Sequence, residues 1–167
     1  MVRTELPFQC CGVDEIIGIP VAWMLGSYGT EETIAYFLFL LQSANVSTIP
    51  WRFMTDRDLA QINAILLCYP ESGIWLCWWH VLHAWQQHFV ISQNELLWTK
   101  LKALIRLEDS TLFEAALAEI KDLAPIRFWD YLINNWLPQK FILMWSAVYR
   151  RDRGIHLLND TNMLTEA

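Results

Sequence analysis

Two spacing patterns divide the chain: short apolar runs over its first third, and longer stretches at helical spacing afterwards. Residues 7–13 and 18–25 are rich in Phe, Val, Ile and Trp, with Asp14 and Glu15 between them, which predicts a β-hairpin. Gly26, Ser27 and Gly29 break the second run. Thr30 then stands where its hydroxyl can cap a helix over residues 31–43, with Glu31 and Glu32 at the positive end of the helix dipole. Pro50 opens a short extended stretch, 51–54, that stops at Thr55-Asp56-Arg57-Asp58. From Leu59 the apolar positions Leu59, Ile62, Ile65, Leu66 and Tyr69 recur at helical spacing until Pro70 ends the pattern. A turn at Glu71-Ser72-Gly73 leads to a strand over 74–77 and a helix over 78–89. Strand, helix, strand, helix in that order implies two parallel strands joined by a crossover helix.

The remainder reads as helix: 94–107, a helix opened by the capping box Thr111-x-x-Glu114, then 126–136 and 139–150, punctuated by Pro125 and Pro138. The class is therefore α/β in the mixed α+β sense, and 167 residues suit one domain. Apolar residues make up 54% and charged residues 18%, against about 45–50% and about 25% in ordinary soluble domains. An excess that includes ten Trp and eight Phe suggests surfaces that meet a further segment or a second copy, so self-association through exposed apolar surface is expected. The net charge of -6 and pI near 5.1 have the wrong sign for gripping a phosphate backbone unaided. No apolar run approaches the roughly 20 residues of a membrane span, and the N-terminus lacks the apolar stretch of a secretory signal. An intracellular or nuclear, non-secreted protein is expected, with Cys10, Cys11, Cys68 and Cys77 reduced.

Three stretches carry a family resemblance. GIPVAWML, followed by a Glu/Thr-rich helix start and IAYFLFLL, is similar to the hairpin strand and first helix of the Mutator-like (MULE) transposase catalytic domain. RFMTDRDLAQINAILLCYP with WLCWWHVLHAW resembles that family's second-carboxylate strand, its helix and its C-x-x-H block; NDTNMLTEA resembles the T-N-x-x-E segment that brings the third carboxylate. The order is the family's over nearly the whole chain.

The resemblance implies a ribonuclease H-like core with a helical insertion: residues 1–92 as partial core, 93–153 as insertion, and 154–167 as the start of the third-carboxylate segment, all one domain. It makes Asp56 and Glu166 ligands of Mg2+ (or Mn2+), His80 an auxiliary catalytic residue, and Cys77 with His80 the C-x-x-H pair. Clustered carboxylates are what such chemistry needs, because two divalent ions must be held together beside a phosphodiester. The implied partner is DNA at transposon ends, bound through parts beyond these residues. The family's first carboxylate lies on a central strand before the hairpin, in a segment reading D-x-T-x-x-T. Only MVRTE stands there, and Asp14 falls in the hairpin loop. The expectation is a sheet lacking its central first strand, truncated at both ends, and inactive as written.

Each signal also has a plainer reading. Asp56 and Asp58 can both cap the following helix, and Glu166 can be a solvated tail residue. Cys77 and His80 supply half of a zinc site, and His83 and His88 do not complete it, since their spacing is not that of a helical zinc pair. Trp75, Trp78, Trp79 and Trp85 fill a core more often than they stack on bases. Arg150, Arg151 and Arg153 form a basic cluster that either meets DNA phosphates or complements a helix end. Competing functions are a non-catalytic interaction or scaffold domain, a zinc-stabilised binding module, and cleavage by two carboxylates alone.

Overall fold

The computed structural model describes residues 2–5, 20–26, 28–47 and 49–150. The protein is mixed α/β and mostly helical, with a small parallel two-stranded sheet. Its contacts divide it into two compact units, one reaching to Trp75 and the other starting at Leu76.

In the first unit, β1 (Val2–Glu5) pairs antiparallel with β2 (Pro20–Met24), in the register Val2 to Met24 and Thr4 to Ala22 with a shift between Thr4 and Glu5. The antiparallel pair was expected, but its first strand was not. Residues 7–13 lie outside the described residues, and Val2–Glu5 takes the pairing instead. Two charged residues in four obscure a strand in the sequence, although Val2 and Thr4 at alternate positions suit one.

Helix α1 (Glu31–Ala44) starts as its sequence requires, with the Thr30 hydroxyl accepting from the Thr33 amide and two acidic residues in the first turn. Strand β3 (Arg52–Thr55), helix α2 (Leu59–Cys68) and strand β4 (Gly73–Leu76) follow. The strands β3 and β4 form the parallel pair, with α2 as crossover. Burial alternates along β3, where Phe53 and Thr55 point inward, and is nearly continuous along β4 through Ile74, Trp75 and Leu76. Ile34, Leu38 and Leu41 of α1 and Ile62, Ala64 and Ile65 of α2 fill this core, with the rings of Phe53 and Tyr69 5.2 Å apart. Three hydrogen bonds stitch α1 to α2: Asn63 to the Glu31 carboxylate, the Cys68 thiol to the Ala35 carbonyl, and Gln42 to the Cys68 carbonyl.

The second unit comprises α3 (Trp78–Gln86), α4 (Glu95–Leu104), α5 (Ser110–Leu123), α6 (Ile126–Asn135) and α7 (Gln139–Trp145). Tryptophans build its core. The Trp85 ring meets Trp145 and Trp136 edge-on, at 5.2 and 5.9 Å. The Trp78 indole donates to the Trp145 carbonyl at 2.7 Å, and the Trp145 indole to the Trp136 carbonyl at 2.8 Å. Trp78 and Trp145 are thus buried without the cost of an orphaned donor, whereas the buried Trp85 Nε1 has no acceptor among the described residues.

Several boundaries differ from the sequence pattern: α3 stops at Gln86 and α4 at Leu104, each three residues short of the expected end, and two further differences have identifiable partners. Helix α5 begins at Ser110, capped by Asp109 through the Leu112 amide at 2.9 Å, so Thr111 lies inside the first turn and the expected capping box is not its start. Asp is the stronger cap, and it stands closer to the preceding turn. Helix α7 stops at Trp145 although apolar spacing continues. Ser146 is extended, Ala147 gives its amide to the Ile105 carbonyl at 3.3 Å, and a short 3-10 turn follows over Ala147–Tyr149. A tertiary acceptor outside the helix ends it, and no local residue announces that. Among the described residues, no helix is long and apolar enough to cross a membrane.

Candidate functional site

The corner between β3 and α2 holds Thr55, Asp56, Asp58 and Gln61. Thr55 closes the strand pointing inward and is 5% exposed. Its hydroxyl donates to the side-chain carbonyl of Gln61, one turn into α2. Asp58 is the N-cap, with its carboxylate accepting from the Ala60 amide at 2.8 Å. This is the capping role the sequence allowed for it.

Asp56 is engaged differently. It follows β3 directly, and its Oδ1 is enclosed with no hydrogen-bond donor among the described residues. A carboxylate oxygen withdrawn from water normally takes a donor, because leaving it unmade costs about 1–3 kcal/mol. The capping alternative for Asp56 is therefore removed: Asp58 caps, and Asp56 is left over at the carboxyl end of a parallel strand. A hard oxygen donor in that position suits a divalent cation such as Mg2+, which keeps several waters and takes one or two carboxylates.

The other expected site residues are placed as follows. Glu166 lies outside the described residues, as do Arg151, Arg153, Cys10 and Cys11. Cys77 is fully buried at the N-cap of α3, where its backbone carbonyl accepts from Val81 at 3.0 Å and its side chain makes no cap bond. His80 is half-buried in the first turn of α3, edge-on to the Trp79 ring at 4.8 Å. His83 is exposed and stacks flat on Trp79 at 4.9 Å, while its Nδ1 accepts from the Gln86 side-chain amide at 2.8 Å. His88 is exposed against Tyr131. Among the described residues no three His, Cys, Asp or Glu side chains group as a metal site. Trp75, Trp78 and Trp85 are core residues, whereas Trp79 is 40% exposed.

Arg150 belongs to packing rather than to a basic surface. It is buried, donates to the Leu76 carbonyl at 2.6 Å and the Met144 carbonyl at 2.8 Å, and lies 4.9 Å from the Trp78 ring, which Arg106 also approaches at 5.2 Å.

Gln61 is the residue that sequence reading missed. Standing three positions after an Asp N-cap, it reads as the second half of a capping box, and only the fold shows its carbonyl turned to Thr55 instead. Compared with known proteins, the chain matches no family model, no curated protein and no solved structure.

Proposed function

We propose that this chain is a transposase-derived domain of the Mutator-like type, a ribonuclease H-like core carrying a helical insertion. Its ancestral chemistry would be metal-dependent cleavage and strand transfer of DNA phosphodiester bonds. The observation that carries the reading is Asp56: a carboxylate at the end of β3 with an enclosed, undonated oxygen, beside an Asp58 already spent on capping. The crossover β3–α2–β4 and the helical stretch beyond it agree with the order that the resemblance implies. The two two-stranded sheets formed by the described residues also suit a sheet whose central strand lies outside them.

In this reading Asp56 and Glu166 would hold Mg2+ or Mn2+, which when bound would supply Lewis-acid activation of the attacking and leaving oxygens. Asp56 meets that role by its orphaned oxygen and its hard-donor chemistry. His80, in the first turn of α3, is the auxiliary residue that the resemblance implies, and would contact a phosphate or polarise a ligand. The first carboxylate has no counterpart among the 167 residues, so the chain alone is not expected to cleave DNA. The test is to read the source transcript and genomic DNA upstream of Met1. An in-frame D-x-T-x-x-T is the expected result, and unrelated coding sequence in that place would overturn the reading.

A second reading, a non-catalytic interaction domain that self-associates, draws on one feature. The 14 residues of α1 and 10 of α2 carry charge only at Glu31 and Glu32, while Tyr36, Phe39 and Leu67 are 64%, 57% and 69% exposed. Exposed apolar side chains on a helix pair charged only at its first two residues favour a covering partner.

A further inference from the structure

We infer that Gln61 is a positioning residue for the Asp56 carboxylate, acting through Thr55; the inference rests on the reading of Asp56 as a metal ligand. A ligand at the end of a strand is useful only if its backbone is held, since a carboxylate on a loose corner pays for its own ordering each time an ion binds. The corner here is held from both sides. The Asp58 carboxylate fastens the start of α2 to the turn through the Ala60 amide, and the Gln61 carbonyl takes the Thr55 hydroxyl. Between these two fastened points stands Asp56, whose enclosed Oδ1 has no donor among the described residues.

The bond is not the one that helix formation alone would select. At the third helical position after an Asp cap, a Gln side chain ordinarily reaches back to the amide of the cap residue. Gln61 forgoes that and spans the corner to a buried strand hydroxyl. Thr55 is the last residue of β3 and Asp56 follows it directly, so holding the inward Thr55 hydroxyl holds the backbone from which the Asp56 carboxylate projects. The amide nitrogen of Gln61 is not used in this bond, so a variant that keeps an oxygen acceptor at this point keeps the device.

The experiment is a titration of the full chain with Mn2+ alone, read by water-proton relaxation, on wild type and on Asp56→Ala, Gln61→Met, Gln61→Glu, Thr55→Val and the Gln61→Met/Thr55→Val double variant. Matching circular dichroism spectra establish that each variant is folded. Wild type binds, Asp56→Ala does not, and Gln61→Met and Thr55→Val each weaken binding by about tenfold, the lower end for a residue that orients a ligand. Gln61→Glu binds at least as tightly as wild type. The double variant is no weaker than either single one, because both substitutions cut the same link. If wild type fails to bind Mn2+, or Asp56→Ala binds as well as wild type, the metal reading of Asp56 falls, and this inference with it. If Asp56→Ala abolishes binding but Gln61→Met leaves it unchanged, or the two losses multiply in the double variant, the positioning role alone is overturned.

Discussion

Replacing Asp56 by alanine should make the metal-free protein more stable, whereas replacing Asp58 should make it less so. The enclosed Oδ1 of Asp56 receives no hydrogen bond from the described residues, and an unmade bond to a buried polar atom costs about 1–3 kcal/mol. Asp56 as a whole is half-buried, so its carboxylate stays partly solvated and the low end applies. Removing it should gain about 1 kcal/mol, or roughly 2–4 °C in Tm for a chain of this size. Asp58 caps α2 by accepting from the Ala60 amide at 2.8 Å, so Asp58→Ala should lose about 1 kcal/mol. Thermal unfolding in a chelator, followed by far-ultraviolet circular dichroism, separates the two variants by sign. Adding Mn2+ at ten times its dissociation constant should raise the wild type by about 1.4 kcal/mol and leave Asp56→Ala where it was. A fall in Tm for Asp56→Ala comparable to that of Asp58→Ala would refute the reasoning, since it would make Asp56 a structural residue whose environment is already satisfied.

Trp145→Phe should cost about 2–4 kcal/mol in urea unfolding, by stranding the buried Trp136 carbonyl that its indole reaches at 2.8 Å and by opening space beside Trp85; a loss below about 1 kcal/mol would mean that the cluster repacks freely. Burial pushes the Cys68 thiol up from its ordinary range, and burial followed by the neighbouring Cys68 raises Tyr69. Both groups hold their proton more tightly when folded, so their contribution is whole below the ordinary thiol range and is lost as pH rises through it and on through the tyrosine range. Urea midpoints taken from pH 7 upward should fall along that limb, and less steeply in Cys68→Ser and Tyr69→Phe. If the exposed face of α1 and α2 mediates self-association, sedimentation equilibrium should show an oligomer that Phe39→Glu dissolves and that Leu112→Glu, in the other unit, leaves intact; equal effects from both would mark general stickiness.

Where local chemistry decides, the sequence was readable. Thr30 before two glutamates, Pro70 after an apolar period, and Pro125 and Pro138 before helices each set an element boundary that the fold keeps. Distant atoms decide the rest. Nothing near Ser146 says that the Ile105 carbonyl will draw the chain out of its helix, and nothing near Arg150 says that its guanidinium will close on Leu76 and Met144 rather than face a phosphate. The same limit applies at the site. Asp56 and Asp58 have equal claims as caps on spacing alone; the fold separates them because one amide donor, Ala60, is taken by Asp58. Gln61 was hidden for the opposite reason, as its position offered a sufficient local role that the structure does not use.

The tryptophan core has a practical corollary for watching this protein unfold. Seven of its ten tryptophans fall at or beyond position 78, and Trp85, Trp136 and Trp145 sit within 6 Å of one another in the pairs described. Light absorbed anywhere in that group is shared among neighbours, so emission reports chiefly on the helical unit, and its red shift marks water entering there. Cys68, beside α1, offers a chemical clock for the first unit through its rate of alkylation. Fluorescence and thiol labelling followed in one urea series would therefore time the two units separately, from native side chains and without added dyes.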